Sequence, residues 1–122
     1  METNRFRFEN MAIWQRAAGV SGELFRLAGE LDRKRHYRFA EQLRSATVSI
    51  SNNIAEGSGS VSVGDFENFL NIARRSIFEV ANILSLLCRE GYWRQEQVSP
   101  LLNELEEQSR MILAFRRTLK GQ

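Results

Sequence analysis

The most constraining feature of the sequence is a run of apolar residues between positions 66 and 87, spaced alternately by four and three. The run consists of Phe66, Leu70, Ala73, Ile77, Val80, Leu84 and Leu87. This spacing places every member on one face of an α-helix, whereas a half-buried strand requires strict alternation. A long helix with one apolar stripe must pack against other helices, so the run predicts a helical bundle.

Three more segments of the chain show the same helical period. We predict helices over residues 8–31, 37–56, 65–90 and 99–120, separated by a basic stretch, a glycine-serine stretch and the turn at Gly91. Helices of similar length joined by short connectors favour up-down-up-down packing. The predicted fold is therefore all-α, an antiparallel up-down-up-down four-helix bundle that forms one domain over residues 1–122.

Residues at the predicted helix ends have recognisable roles. Gly57 suits the left-handed position that closes the second helix. Ser62 followed by Asp65 predicts a cap at the start of the third helix. Ser99 and Pro100 predict the N-cap and first turn of the fourth helix.

The sequence offers little material for catalysis or cofactor binding. His36 is the only histidine and Cys88 the only cysteine; we expect an exposed loop histidine and a buried, inert thiol. Such a composition cannot supply a metal set, and no phosphate-binding or dinucleotide-binding motif occurs. We expect no enzyme, no cofactor and no small-molecule substrate, although an enzyme of unrecognised type stays open. A lone cysteine and the lack of a membrane-spanning apolar run favour a cytoplasmic protein without membrane contact.

The basic residues form three clusters. The net charge is only +2, with 17 basic and 15 acidic residues. The clustered candidates for nucleic-acid binding are Arg33, Lys34 and Arg35, then Arg74 and Arg75, then Arg116 and Arg117. Clusters of this kind neutralise phosphates without reading sequence. An arginine-rich genome composition is an alternative explanation, and cations in a last helical turn also suit the helix dipole.

Two further features are candidates for structural or subunit contacts. A polar stripe on the second helix contains Gln42, Ser45, Ser49, Asn52, Asn53 and Glu56. Asn53 continues the apolar spacing, so we expect it to face a contact with Glu56 as its hydrogen-bond partner. Phe78 lies away from the apolar line of the third helix, which predicts a contact with another subunit or with a partner. The alternatives are a solvated polar face and an isolated exposed aromatic.

Three segments resemble a known protein family. They are residues 42–46 (QLRSA), 49–59 (SISNNIAEGSG) and 69–79 (FLNIARRSIFE). They resemble the four-helix-bundle family encoded by intervening sequences of bacterial 23S rRNA genes. Its pattern reads roughly Q-L-R-R-A, then S-I-x-x-N-I-A-E-G, then F-L-x-I-A-x-x-S-x-x-E. The resemblance covers nearly the whole chain, although Ser45 stands where the pattern often has a basic residue.

That family is similar to the accessory variability proteins of diversity-generating retroelements. The N-I-A-E-G segment makes this chain more similar to the ribosomal branch. The wider resemblance implies a four-helix bundle, a homopentamer, and RNA, DNA or a reverse transcriptase as partner.

Two functional hypotheses follow, besides the enzyme of unrecognised type. The favoured one is a homo-oligomer that binds nucleic acid or assists an enzyme acting on it. The alternative is a homo-oligomeric protein–protein scaffold without nucleic-acid binding.

Overall fold

The computed structural model describes residues 5–120. A short 3₁₀ turn at Arg7–Asn10 precedes four helices: α1 (Ala12–Arg33), α2 (Tyr37–Ser58), α3 (Val63–Arg89) and α4 (Gln95–Lys120). Consecutive helices pack against each other, and α4 closes back on α1. The predicted all-α four-helix bundle is confirmed.

The core lies where the predicted apolar faces meet. All seven members of the α3 run are buried, and Leu43 and Ile50 of α2 join them in one cluster. In α1 the buried line is the one that contains Leu24, Leu27 and Leu31. Phe25, the residue after Leu24, points away from this line and is 39% exposed.

The start of α1 differs from the prediction. The chain forms the 3₁₀ turn first, and α1 begins only at Ala12. The Glu9 carboxylate accepts the backbone N–H of Phe6 at 2.9 Å, and Gln15 donates to the Glu9 carbonyl at 2.9 Å. In this way the Phe6 N–H and the Glu9 carbonyl are hydrogen-bonded at the 3₁₀ turn, without a continuous α-helix from residue 8.

The prediction for Gly57 as a left-handed cap is wrong. Helix α2 continues to Ser58, and Gly57 is buried inside it. A Cβ added at Gly57 would lie 2.8 Å from the Phe69 Cβ and 2.9 Å from the Phe66 Cδ1. The glycine is therefore needed because α3 approaches the α2 backbone closely, not because of a left-handed turn.

The two remaining helix starts give one confirmation and one correction. The Ser62 Oγ accepts the Asp65 N–H at 3.1 Å, so the predicted cap of α3 is confirmed. The prediction of Ser99 as N-cap is wrong, since α4 already begins at Gln95. The Gln97 side chain accepts the Arg94 N–H at 3.0 Å and so caps the earlier start.

Across residues 5–120, no helix combines the length and the apolar character that crossing a bilayer requires.

Candidate nucleic-acid interface

Ion pairs divide the basic residues of the described chain into two groups. Four arginines contact carboxylates: Arg16 with Glu104, Arg26 with Glu23 and Glu30, Arg44 with Asp32 and Glu41, and Arg110 with Glu106 and Glu107. Within residues 5–120, none of the seven predicted phosphate-binding residues takes part in an ion pair. Their side chains are therefore not held in ion pairs with carboxylates of the fold.

The first cluster forms the turn between α1 and α2. Arg33 ends α1, Lys34 follows it, and Arg35 takes a left-handed conformation with φ 66°. The N–H of His36 bonds to the Leu31 carbonyl at 2.8 Å, which completes a Schellman motif. The motif turns the chain sharply and leaves the side chains of Arg33, Lys34 and Arg35 exposed.

The turn between α3 and α4 lies beside this first turn. The rings of His36 and Tyr92 are 4.9 Å apart, and the Trp93 Nε1 donates to Glu30 of α1 at 3.2 Å. Two more exposed basic residues, Arg89 and Arg94, belong to this second turn. Sequence reasoning left them out of the clusters, although the predicted topology already places both turns at one end of the bundle.

His36 is half-buried, so the prediction of an exposed loop histidine is wrong. Its ring packs between the two turns, because Tyr92 meets it edge-on and Phe39 lies 6.4 Å away. The histidine joins the two connections of this end, a packing role that the loop sequence alone does not reveal.

The second cluster is split by the geometry of α3. Neighbouring helical residues point about 100° apart. Arg74 is half-buried on the α4 side, with its guanidinium 5.2 Å above the Phe78 ring. Arg75 is exposed in a shallow groove on the outward side of α3, which Ser76, Phe78 and Glu79 of the same helix also line.

The third cluster lies towards the other end of the bundle. Phe115 packs against Phe66 near the start of α3, with ring centroids 5.6 Å apart. Arg116 is half-buried and Arg117 exposed at that level. Eight residues separate Phe66 from Arg74, so the second and third clusters differ by about 12 Å along the axis. The structure does not bring the three clusters onto one continuous surface.

The polar stripe of α2 makes its main contact inside the chain. The Ser49 and Ser76 hydroxyls are 2.7 Å apart, and the Asn53 Nδ2 donates to the Ser49 carbonyl at 2.8 Å. The predicted pairing of Asn53 with Glu56 is wrong, since Glu56 instead accepts from the Asn52 amide at 2.7 Å. An asparagine reaches the carbonyl one turn back easily, and that bond satisfies it in the α2–α3 seam. Gln42, Ser45 and Asn52 remain exposed beside this seam.

Phe78 forms the rim of a groove between α3 and α4. Its side chain is 58% exposed. The groove, about 250 Å³ in volume, is lined mainly by apolar atoms of Ala81, Leu102 and Leu105. Ile72 and Leu86, exposed at 42% and 49%, add apolar surface to the outward half of α3. With Val63 at 40%, α3 carries four exposed apolar side chains, and of these four Phe78 is the one that borders the groove. An exposed aromatic ring beside an apolar groove is typical of a contact surface.

The remaining polar groups of interest in the described chain are the Cys88 thiol and the carboxylates of the ion pairs. Cys88 is half-buried with its Sγ 3.7 Å from the Gln95 Oε1, so the prediction of a buried thiol is wrong. No group of three or more possible metal ligands occurs among residues 5–120. The Arg16 guanidinium lowers the pKa of Glu104 by hydrogen bonding, and Arg26 lowers that of Glu23 in the same way. Both carboxylates belong to surface ion pairs.

Comparison with known proteins supports the fold and assigns the family. One solved structure, a protein with unknown function from the S23 ribosomal protein family of Bacteroides thetaiotaomicron VPI-5482, superposes with a TM-score of 0.82. It shares 24% sequence identity, and the match covers 86% of this chain and 98% of that one. No curated protein matches the sequence. The family model described as 23S rRNA-intervening sequence protein matches residues 9–114, and the chain belongs to this family.

Proposed function

We propose that this chain is a non-enzymatic, cytoplasmic homo-oligomer that binds nucleic acid, either RNA or DNA, as accessory to a nucleic-acid enzyme such as a reverse transcriptase. One observation carries the proposal. The basic residues of the three clusters have no carboxylate partner within residues 5–120, whereas four other arginines do.

The difference between paired and unpaired basic residues matters, because the net charge of a protein is a poor measure of its ability to bind phosphate. An arginine paired with a carboxylate contributes little field beyond its own ion pair. An unpaired exposed arginine can release a condensed counterion when it contacts a phosphate, which makes binding favourable and dependent on salt. A chain of net charge +2 can therefore present strongly basic surface locally.

The exposed apolar surface supports the homo-oligomeric part of the proposal. The Phe78 ring and the adjoining α3–α4 groove offer a ridge and a depression, which a second copy of the chain can cover. The exposed part of the polar stripe, which includes Gln42, lies on α2 and offers a second, different patch. Two different patches that meet head to tail close a ring, and the resemblance to retroelement accessory proteins implies five subunits. A ring repeats every basic cluster, so weak phosphate contacts gain avidity.

Binding measured against salt tests the proposal. Fluorescence anisotropy with a structured RNA and with duplex DNA should show affinity that falls steeply as salt rises. Replacing Arg74, Arg75, Arg116 and Arg117 with glutamine should weaken binding and flatten the salt dependence. Arg26→Gln is the matched control, because Glu23 and Glu30 already hold that guanidinium. Absence of binding at low salt would exclude nucleic acid as the partner.

The groove beside Phe78 also favours the second candidate, a homo-oligomeric protein–protein scaffold. The two candidates differ in one pair of measurements. A scaffold would show a mass several times 14.1 kDa in light scattering but no nucleic-acid binding. The proposed function requires both the larger mass and the salt-sensitive binding.

A further inference from the structure

We infer that the end of the bundle formed by the α1–α2 and α3–α4 turns is a binding surface for single-stranded nucleic acid. We call it the basic-aromatic end, and it rests on the proposed function. Its exposed basic side chains are Arg33, Lys34, Arg35, Arg38, Arg89 and Arg94. None of the six forms an ion pair within residues 5–120.

The acidic residues near this end do not cancel that charge. Asp32 and Glu41 contact Arg44, and Glu30 contacts Arg26 and the Trp93 indole. Glu79, Glu90 and Glu96 lack an ion pair in the described chain, and Glu79 lines a groove together with Tyr37 and Arg38. Six unpaired basic side chains therefore outnumber three carboxylates of this kind.

Helix stability does not account for all of these cations. Arg33 and Arg89 lie in last turns, where a positive charge favours the helix dipole. Arg38 lies in the first turn of α2, and Arg94 directly precedes α4. A cation at the start of a helix opposes the dipole, so these two residues are present despite a small local cost.

Arg35 gives a second indication that charge is favoured over backbone preference here. Helices α1 and α3 both end in a Schellman motif at this end, with N–H to carbonyl bonds from His36 to Leu31 and from Tyr92 to Leu87. The left-handed position is Gly91 after α3 but Arg35 after α1, with φ 89° and 66°. Glycine adopts that conformation without strain, whereas a residue with a side chain is disfavoured there.

Aromatic side chains at the same end select the kind of ligand. The Tyr37 side chain is 59% exposed between Arg38 and the first turn. Behind it, His36, Phe39 and Tyr92 pack together, with the Phe39 and Tyr92 rings 6.0 Å apart. Tyr37 shares a groove with Arg38, Glu41 and Glu79. An exposed ring beside an unpaired arginine suits a strand whose bases are free to stack on it, whereas the bases of a duplex already stack on one another. A duplex hides its base faces and gains nothing from Tyr37.

The test compares ligands and variants on the full chain. Anisotropy is measured with a labelled single strand as RNA and as DNA, with the duplex of the same sequence, and with polyglutamate of matched charge. We expect the single strands to bind more tightly than the duplex and than polyglutamate. Tyr37→Ala should weaken single-strand binding by about fivefold or more and leave duplex binding unchanged. Arg94→Gln should reduce the slope of log affinity against log salt by roughly 0.7.

Arg35→Gly keeps the test independent of folding. Glycine relieves the left-handed strain, so the melting temperature should stay the same or rise while single-strand binding weakens. Phe25→Ala and Arg110→Gln are the matched controls, an exposed aromatic and a paired arginine on other surfaces; both should bind as wild type.

Each contrary outcome is distinct. Equal binding of duplex and single strand, equal binding of polyglutamate, or wild-type binding by Tyr37→Ala and Arg35→Gly would overturn the basic-aromatic end and leave the proposed function standing. Absence of all nucleic-acid binding by the wild type would overturn both.

Discussion

At the scale of single residues, the sequence identified two important positions but not the contacts that each of them makes. The sequence singled out Gly57 and Asn53, because a glycine after a helical run commonly ends a helix and an asparagine on an apolar line is unusual. It assigned each the wrong duty. Gly57 accommodates Phe66 and Phe69 of α3, and Asn53 bonds to Ser49 in the α2–α3 seam. Both duties depend on how closely α3 approaches α2, which local sequence does not encode.

Substituting Gly57 measures that close approach. Gly57→Ala should lower the free energy of unfolding by about 1–3 kcal/mol, because the new Cβ would overlap the Phe69 Cβ at 2.8 Å and force the helices apart. The loss should occur even though alanine favours a helix over glycine by about 1 kcal/mol. Urea denaturation measures the change.

Gly22→Ala in α1 is the matched control, since nothing lies within 4 Å of the added Cβ. This variant should be as stable as wild type or more so. Equal stabilisation by both substitutions would contradict the close packing at Gly57.

At the scale of whole elements, apolar periodicity predicted most of the fold. It identified all four helices and the buried line of α3, because burial of one face fixes the spacing along a helix. Helix ends were less predictable. The Gln97 side chain starts α4 at Gln95, four residues before the proline signal at Ser99 and Pro100. Two possible starts of α4 compete here, one capped by Gln97 and one marked by Ser99 and Pro100, and the sequence pattern alone does not show which start is used.

The seam between α1 and α4 is held by polar groups more than the other seams. These two helices contact each other less extensively than the other neighbouring pairs. Arg16 binds both carboxylate oxygens of Glu104, at 2.8 and 2.7 Å, and the Gln108 amide donates to the Arg16 carbonyl at 3.1 Å. A bidentate pair of this kind fixes the relative position of the helices as well as adding stability.

The Glu104 pair makes stability depend on pH. Because the Arg16 hydrogen bond lowers the pKa of Glu104 in the folded chain, the unfolded state binds the proton more tightly. The stabilisation is therefore present above the unfolded pKa of about 4.3 and is lost as pH falls through the lower folded pKa. Glu104→Gln should reduce the urea midpoint modestly at pH 7, and the difference from wild type should shrink below about pH 4.

Glu106→Gln serves as the control for this prediction. Its carboxylate contacts Arg110 on the same helix at 3.3 Å and is more exposed. We expect a smaller change at pH 7 in this variant. A Glu104→Gln difference that is the same at both pH values would show that the charge of the pair does not contribute.

At the scale of the whole molecule, the topology of the bundle brings together basic residues that are far apart in the sequence. Arg35 and Arg94 are distant along the chain, yet their turns touch through His36 and Tyr92. The same topology separates Arg116 and Arg117 from the first cluster by nearly the length of the bundle. Up-down packing can be predicted from helix number and connector length, so the grouping of the turns is accessible to sequence reasoning. The direction of each side chain, such as Arg74 over Phe78, requires the packed structure.

In the proposed homo-oligomer these surfaces act together, and a substitution at Phe78 tests whether the chain assembles. A charged side chain in place of the Phe78 ring should be well tolerated by a single bundle, because 58% of the phenylalanine is already exposed. The same charge should be unfavourable in a buried subunit contact. Phe78→Glu should therefore reduce the mass in light scattering from a multiple of 14.1 kDa towards that of one chain.

The loss of assembly should also weaken nucleic-acid binding, because each basic cluster then acts once instead of once per subunit. The apparent affinity for a long RNA should fall more than the affinity for an oligonucleotide that reaches only one subunit. Phe25→Glu on α1 is the control, with a ring that is also exposed, at 39%, and we expect no change in mass or binding. If Phe78→Glu keeps the wild-type mass, the subunit contact lies on another face. If its mass falls while long-RNA affinity stays the same, avidity does not contribute to binding.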